Sequence, residues 1–316
     1  MRVGLTPTGP LDGRRVAVTG IGALSCAGVG VDALWSALLR PEAPDSMAIA
    51  PFDASHLGGP KELRRLDPFT LYALMAADEA WRQSGLEGPL LDGGSVVTTG
   101  IGGLQTVLDQ VGVLTSRGRD RVSPFMVPMM MPNAATAAVS MRFGLGGPAE
   151  TVTTACAAGT HAVGNGARLV ATGRCPVVLA GGAEAVIVEI AEAGFRNMTA
   201  LSTRGVSRPF DVERDGFVMG EGAGVLVLEE WEHALARGAP TTTSSPTAGS
   251  IVVVPAVGGM TWWRRVRTDA TASRAPAAAR EWPRWPLIEV TGGAVSPKTA
   301  RTATDSARSL SGVEVP

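Results

Sequence analysis

Long apolar runs are missing from this 316-residue chain. Gly, Glu and Arg interrupt every hydrophobic stretch before it reaches the roughly 20 residues that a membrane helix needs, so no span is expected. Net charge is missing too: 28 Lys and Arg face 29 Asp and Glu. Without a basic surplus there is no electrostatic case for nucleic acid or an anionic membrane as partner. Cysteine is scarce. Cys26, Cys156 and Cys175 are odd in number and lack metal-ligand spacing, which argues against a disulfide scaffold or a metal site and for a reduced, cytoplasmic setting. Histidine is equally scarce, at positions 56, 161 and 233. The first 13 residues are rich in Pro and Gly with no apolar centre, so they read as a loose leader and not as a signal peptide. What is present is a 45% hydrophobic composition and a length sufficient for a large core.

The most informative stretch is residues 151–173, TVTTACAAGTHAVGNGARLVATG. Ala149–Thr153 ends in a β-branched run suited to a buried strand. Ala162, Val163, Ala167, Val170 and Ala171 then recur at helical steps until Gly173. Cys156 falls where strand turns into helix. Free N–H groups and the dipole at a helix N-terminus favour a thiolate, and the small neighbours Ala155, Ala157, Ala158 and Gly159 leave room for a substrate. That is the arrangement of an activated nucleophile. A buried, inert thiol is the other reading of a lone cysteine.

Elsewhere the chain alternates strand and helix. Residues 15–19 begin a strand, followed by Gly20-Ile21-Gly22 and a helix over 31–39. This imitates a dinucleotide fingerprint, but Ser25 stands where the third glycine belongs and no acid-terminated second strand follows, so nucleotide binding is not expected. Lys61, Arg64 and Arg65 put three cations on one short segment, which a solvated face would explain, ahead of an amphipathic helix over 69–84. Strands are expected over 95–99, 176–180 and 222–229, a turn at 181–184, and helices over 107–114, 133–142 and 230–237. The succession 149–153, helix, 176–180 reads as a right-handed βαβ unit. Met126, Met129, Met130 and Met131 suit an adaptable core.

TACAAGTHAVGNGARLVATG (154–173) resembles the active-site segment of β-ketoacyl-acyl-carrier-protein synthases of the condensing-enzyme, thiolase-like superfamily. VAVTGIGALS (16–25), SPFMVPMMMPNAATAAVSMRFGLGGP (123–148), LAGGAEA (179–185), ALSTR (200–204) and SRPFDVERDGFVMGEGAGVLVLEE (207–230) resemble the same family in the same order. The resemblance covers about residues 14–239. It implies an α/β fold: the N-terminal half of a thiolase-like αβαβα layered fold, with a mixed five-stranded sheet and helices on both faces. It makes Cys156 the acyl-accepting nucleophile, places Ile101 and Phe195 in the acyl pocket, and gives Lys61, Arg64 and Arg65 a part in docking an acidic acyl carrier protein. It implies no bound cofactor and no metal, because substrates arrive on the carrier's phosphopantetheine. It also implies a homodimer, with the Met-rich segment contributing to the interface and the acyl tunnel. His161 is expected to be structural, since five residues along a helix its side chain points away from the sulfur. In such enzymes an acyl group moves to the cysteine, malonyl-carrier protein loses carbon dioxide, and the resulting enolate, stabilised by two histidines, attacks the acyl thioester, for fatty acid or polyketide synthesis. Two alternatives stand beside this: an inactive fragment or pseudoenzyme that only dimerises or binds a partner, and a different thiolase-like cysteine acyltransferase.

At Pro240 the composition changes. The last 77 residues contain no Phe, Tyr, His or Cys and two leucines, while four of the seven tryptophans lie there. Only residues 250–257 resemble a strand, and 269–280 a weak helix. The regular apolar pattern needed for a second α/β half is not present, nor are the two histidines, the lysine and the Gly-Phe-Gly-Gly turn that the resemblance would place there. A frame change near codon 239 would produce this shift. Reading the encoding DNA in its other two frames tests it, because one of them should restore His- and Lys-containing family motifs. A chain of this composition is expected not to complete the condensation.

Overall fold

The computed structural model describes residues 14–40 and 46–240. The expected leader, the strand over 250–257 and the helix over 269–280 lie outside the described residues. In chain order the elements are β1 (Val16–Ser25), β2 (Gly28–Val29), α1 (Val31–Leu38), α2 (Pro60–Leu63), α3 (Pro68–Ser84), β3 (Gly94–Thr98), α4 (Leu104–Arg117), α5 (Met126–Met130), α6 (Ala134–Phe143), β4 (Ala149–Glu150), α7 (Ala158–Ala171), β5 (Val177–Glu184), α8 (Glu189–Asn197), β6 (Gly222–Glu230) and α9 (Trp231–Ala236).

Among the described residues the strands form one mixed sheet in the order β2-β1-β6-β5-β3-β4. β6 runs antiparallel to both β1 and β5, while β5, β3 and β4 are parallel. The inner strands are apolar on both sides because helices cover both faces. On one face Phe69, Ala73, Ala76, Ala77 and Ala80 of α3 and Ala135, Val139 and Phe143 of α6 pack on Val97, Val177, Leu179, Val225 and Val227. On the other, Ala162 and Val170 of α7 pack on Val18, Val96, Val178, Ala180 and Leu228.

The fingerprint-like glycines have a packing explanation. A Cβ on Gly20 would stand 2.0 Å from the Ala80 carbonyl oxygen, and one on Gly22 would stand 1.9 Å from that of Ala76. β1 therefore lies directly against the backbone of α3, whose facing residues are alanines for the same reason. α3 starts at Asp67, whose carboxylate accepts from Phe69 N at 3.1 Å, with Pro68 at the first helical position. The same buried carboxylate accepts from the N–H and hydroxyl of Thr106 at 3.1 and 2.6 Å, so one side chain holds the start of both α3 and α4.

Three expectations need correction. The sheet has six strands and not five, because β2 and β4 add two-residue edges to four long strands. The strand expected over 149–153 pairs with β3 only at Ala149 and Glu150. Beyond that the ladder gives way to side-chain bonds: Thr151 Oγ1 donates to the Val97 carbonyl at 3.1 Å, and Thr98 Oγ1 donates to that of Val152. The parallel β4 and β5, joined through α7, keep the expected strand–helix–strand succession, with β3 lying between them in the sheet. Residues 181–184, expected as a turn, continue β5, because Gly181 and Gly182 allow close pairing with β6. A Cβ on Gly181 would stand 2.0 Å from the Gly224 carbonyl oxygen.

Candidate active site

The loop that carries Cys156 follows from that unzipped edge. Cys156 lies two residues before α7, on an exposed turn. Ala155, immediately before it, has φ of +51°, a left-handed conformation that an alanine adopts only when its surroundings enforce it. Those surroundings are identifiable. Ala157 N and Ala158 N donate to the carbonyls of Thr154 and Ala155 at 3.2 and 2.9 Å, closing the turn into the helix. The Thr154 hydroxyl and His161 Nδ1 share a hydrogen bond of 2.7 Å, tying the turn to the first turns of α7.

Cys156 opens into a cavity of about 560 Å³ between the end of β5, the start of β6 and the N-terminal turn of α7. Ile101 and Phe195 line the same cavity. Residues some 55 positions before and 39 positions after Cys156 in the sequence are thus brought to one site. Phe195 meets Phe217 edge to face, with ring centroids 5.3 Å apart. Glycines of β5 and β6 form the floor, and their missing side chains leave the space. Among the described residues that line it, Cys156 and Glu184 are the titratable ones, in an otherwise mostly apolar wall. Burial pushes the Glu184 carboxyl above the ordinary carboxylate range, against the pull of hydrogen bonds from Thr99, Gly100, Ile101 and Ala185.

Lys61, Arg64 and Arg65 are exposed and do not line the cavity. They occupy α2 and the turn before Asp67. The Arg65 guanidinium lies over the Phe125 ring, 4.2 Å from its centroid, so part of that charge is seated on the Met-rich segment. The three histidines lie elsewhere as well. His56 Nε2 is 3.5 Å from Asp78, His161 is bonded to Thr154, and His233 is 2.6 Å from Glu229. None of them lines the cavity. Among the described residues no cluster of three or more His, Cys, Asp or Glu is arranged to hold a metal ion, and no helix is long and apolar enough to cross a membrane.

Sequence reasoning missed Phe217, Met219 and Glu184 as wall residues and missed the strained Ala155. Phe217 and Met219 stand inside the motif DGFVMGEG, so a signal existed, but their facing depends on how the chain enters β6. Turn propensity around Gly181 and Gly182 conceals Glu184, and only its place at the end of β5 puts it in the cavity.

Residues 42–234 match the family described as β-ketoacyl synthase, N-terminal domain. This chain belongs to that family. Among curated β-ketoacyl synthases, it is 40% identical over 258 residues to the 3-oxoacyl-(acyl-carrier-protein) synthase 2 of Rhizobium meliloti and 40% identical over 252 residues to that of a Synechocystis species; each match covers 72% of this chain and 61% of the relative. The chain therefore spans less than two thirds of the length of these relatives. Among solved structures, a β-ketoacyl synthase from Burkholderia phymatum superposes with a TM-score of 0.64 at 30% identity, covering 72% of this chain and 62% of that one. A structure titled as a type II PKS acyl-carrier protein in complex with its ketosynthase bound to the hexaketide gives a TM-score of 0.62 at 26% identity, covering 72% and 66%. The fold is that of the thiolase-like ketosynthases.

Proposed function

We propose that this chain carries the acyl-transfer half of a β-ketoacyl-acyl-carrier-protein synthase. Cys156 is the nucleophile, and Ile101 and Phe195 flank the incoming acyl chain. The observation that carries this reading is the single cavity in which those three residues meet, with the sulfur presented by a strained turn at the start of α7. The Cys156 thiolate attacks the thioester carbonyl of an acyl group held on carrier-protein phosphopantetheine. The oxyanion accepts from the Cys156 backbone N–H, and the tetrahedral adduct expels the phosphopantetheine thiolate, leaving a Cys156 thioester. Apolar walls suit a fatty or polyketide acyl chain. Lys61, Arg64 and Arg65 attract the carrier, and the exposed apolar residues Phe125, Val127, Met130 and Met131 suit a homodimer interface. A cytoplasmic setting fits these partners.

Decarboxylating a malonyl thioester builds enolate charge that needs preorganised donors, and loss of one such donor typically slows a reaction by roughly a hundred- to a thousandfold. With all three histidines engaged away from the cavity, the 316-residue polypeptide takes up an acyl group without extending it. The test is intact mass after incubation with acyl-carrier thioester, followed by malonyl-carrier protein. An acyl increment on Cys156 that is lost in Cys156→Ala, with no ketoacyl product, is expected. No increment in the folded chain, or an equal one in Cys156→Ala, overturns the assignment of the nucleophile. Product above the Cys156→Ala control overturns the restriction to acyl transfer. A strong preference for acyl-CoA over acyl-carrier thioester would instead favour another thiolase-like acyltransferase.

A further inference from the structure

Glu184 is buried deep enough to raise its pKa, faces the nucleophile's cavity, and has no part in the acyl transfer described above. Both of its oxygens are engaged. Oε1 accepts from Thr99 Oγ1 at 2.8 Å and Oε2 accepts from Gly100 N at 2.8 Å. Thr99 Oγ1 in turn accepts from Gly102 N at 3.1 Å. One carboxylate therefore pins the whole turn 99–102, and that turn carries Ile101, which is 44% exposed and lines the cavity. The turn also leans on the nucleophile loop: a Cβ on Gly100 would stand 2.8 Å from Glu184 Oε2 and 3.5 Å from the Ala155 carbonyl oxygen. Among the described residues no cation pairs with Glu184; its partners are a hydroxyl and backbone N–H groups.

We infer that Glu184 is a positioning residue for acyl-chain selection, holding the turn 99–102 so that Ile101 meets the chain delivered to Cys156. This rests on the reading that Cys156 is acylated. The ionised carboxylate accepts both bonds as they stand, whereas protonation adds an O–H that must find an acceptor in the turn, so the hydrogen bonding about Thr99 and Gly100 has to rearrange. The titratable and charged groups around Glu184 are few. Cys156 faces it from the start of α7; β3 presents Thr98 and Thr99; β6 presents Gly222, Ala223 and Gly224; and Glu221, just before β6, is engaged by Ile187 N, Ile49 N and the Tyr72 hydroxyl. Acyl-chain selection is therefore lost as pH falls through a value above the ordinary carboxylate range.

The experiment measures acylation rates of Cys156 with dodecanoyl and acetyl thioesters from pH 5 to pH 8 or thereabouts, and reports their ratio, in which the thiolate fraction of Cys156 cancels. Displacing a substrate-positioning group by about 1 Å can cost a hundredfold, so a fall of about tenfold in the ratio is expected for Glu184→Ala. Glu184→Gln, which keeps one acceptor oxygen, recovers part of it. The wild-type ratio drops on acidification and the Glu184→Gln ratio stays flat. If Glu184→Ala does not fold, Glu184→Gln and the wild-type pH profile decide. A wild-type ratio independent of pH, or variants that keep the wild-type ratio, overturns the inference. A wild-type chain that takes up neither acyl group removes the acyl-enzyme reading and this inference with it, a result distinct from uptake without selectivity.

Discussion

β5 and β6 run side by side over eight paired positions, and the two ends of the pair are built oppositely. At one end the paired positions are Gly182 with Gly224, Ala183 with Ala223 and Glu184 with Gly222. These small residues leave the cavity open, and Glu184 has neutral partners only. At the other end Val177 pairs with Glu229 and Val178 with Leu228, and the packing is close. Glu229 is fully buried, yet Arg237 bonds both its oxygens at 2.6 Å, Thr19 donates at 2.8 Å and His233 lies at 2.6 Å. Burial pushes the Glu229 carboxyl up, but the bonds from Arg237, Thr19 and His233 outweigh it and hold it below the ordinary range. At Glu184 burial prevails. The same residue type thus clamps the fold at one end and has its pKa raised by burial at the other, and the difference is whether a guanidinium is in reach.

The largest expected effect lies at the cavity end. Cys156→Ala abolishes acyl uptake while moving stability by less than about 0.5 kcal/mol, as exposed substitutions do. Mass spectrometry and a denaturant titration of one preparation read both, and a large stability loss would mean that the sulfur is part of the core.

At the clamp end Arg237→Ala takes the guanidinium from a buried carboxylate and leaves it Thr19 and His233 only, which should cost about 3 kcal/mol, with acyl uptake per folded molecule unchanged. The pH dependence follows from the sign of the shift. In the wild type the folded Glu229 pKa is depressed, so its contribution is present above the ordinary glutamate value and lost as pH falls through the lower folded value. In Arg237→Ala the bonds from Thr19 and His233 remain, but the main counterweight to burial is gone and that pKa rises, so part of the deficit should disappear on acidification. Urea midpoints at neutral and mildly acidic pH check this, and a deficit that grows with acidity would contradict it.

Between the two ends, Gly22→Ala tests whether the G-x-G near the N-terminus serves packing. The new methyl would meet the α3 backbone at Ala76, and overpacking of this kind costs about 1–3 kcal/mol. Thermal unfolding measures it, and an unchanged melting temperature would reopen the question of what those glycines do.

The smallest effect belongs to the surface. Lys61, Arg64 and Arg65 changed together to Glu should slow carrier-protein association and flatten its salt dependence, because rim charges act through screened long-range attraction. Carrier affinity that is unchanged at low salt would return the three residues to an ordinary solvated face.

Much of this was legible from residues alone. Cys156 could be singled out because strand and helix periodicities meet there among small side chains, and both are local properties of the chain. The amphipathic α3, the apolar β6 and the approximate bounds of α6 follow from the same periodicities, while the roles of Ile101 and Phe195 came through resemblance to a family. Other features had no local signal. The strand before Cys156 dissolves into side-chain bonds because Thr98 and Thr151 find carbonyls on the opposite segment. Gly181 and Gly182 are turn formers by propensity but extend β5, because β6 lies close enough to use their missing Cβ atoms. Above all, nothing in the sequence separates Glu184 from Glu229. Each lies at the end of an apolar strand, and only the tertiary structure sets Arg237 beside one and an open cavity beside the other. Composition and periodicity determined which segments would be buried; the spatial partners of each buried charge decided which end of the sheet holds the fold and which opens into the cavity.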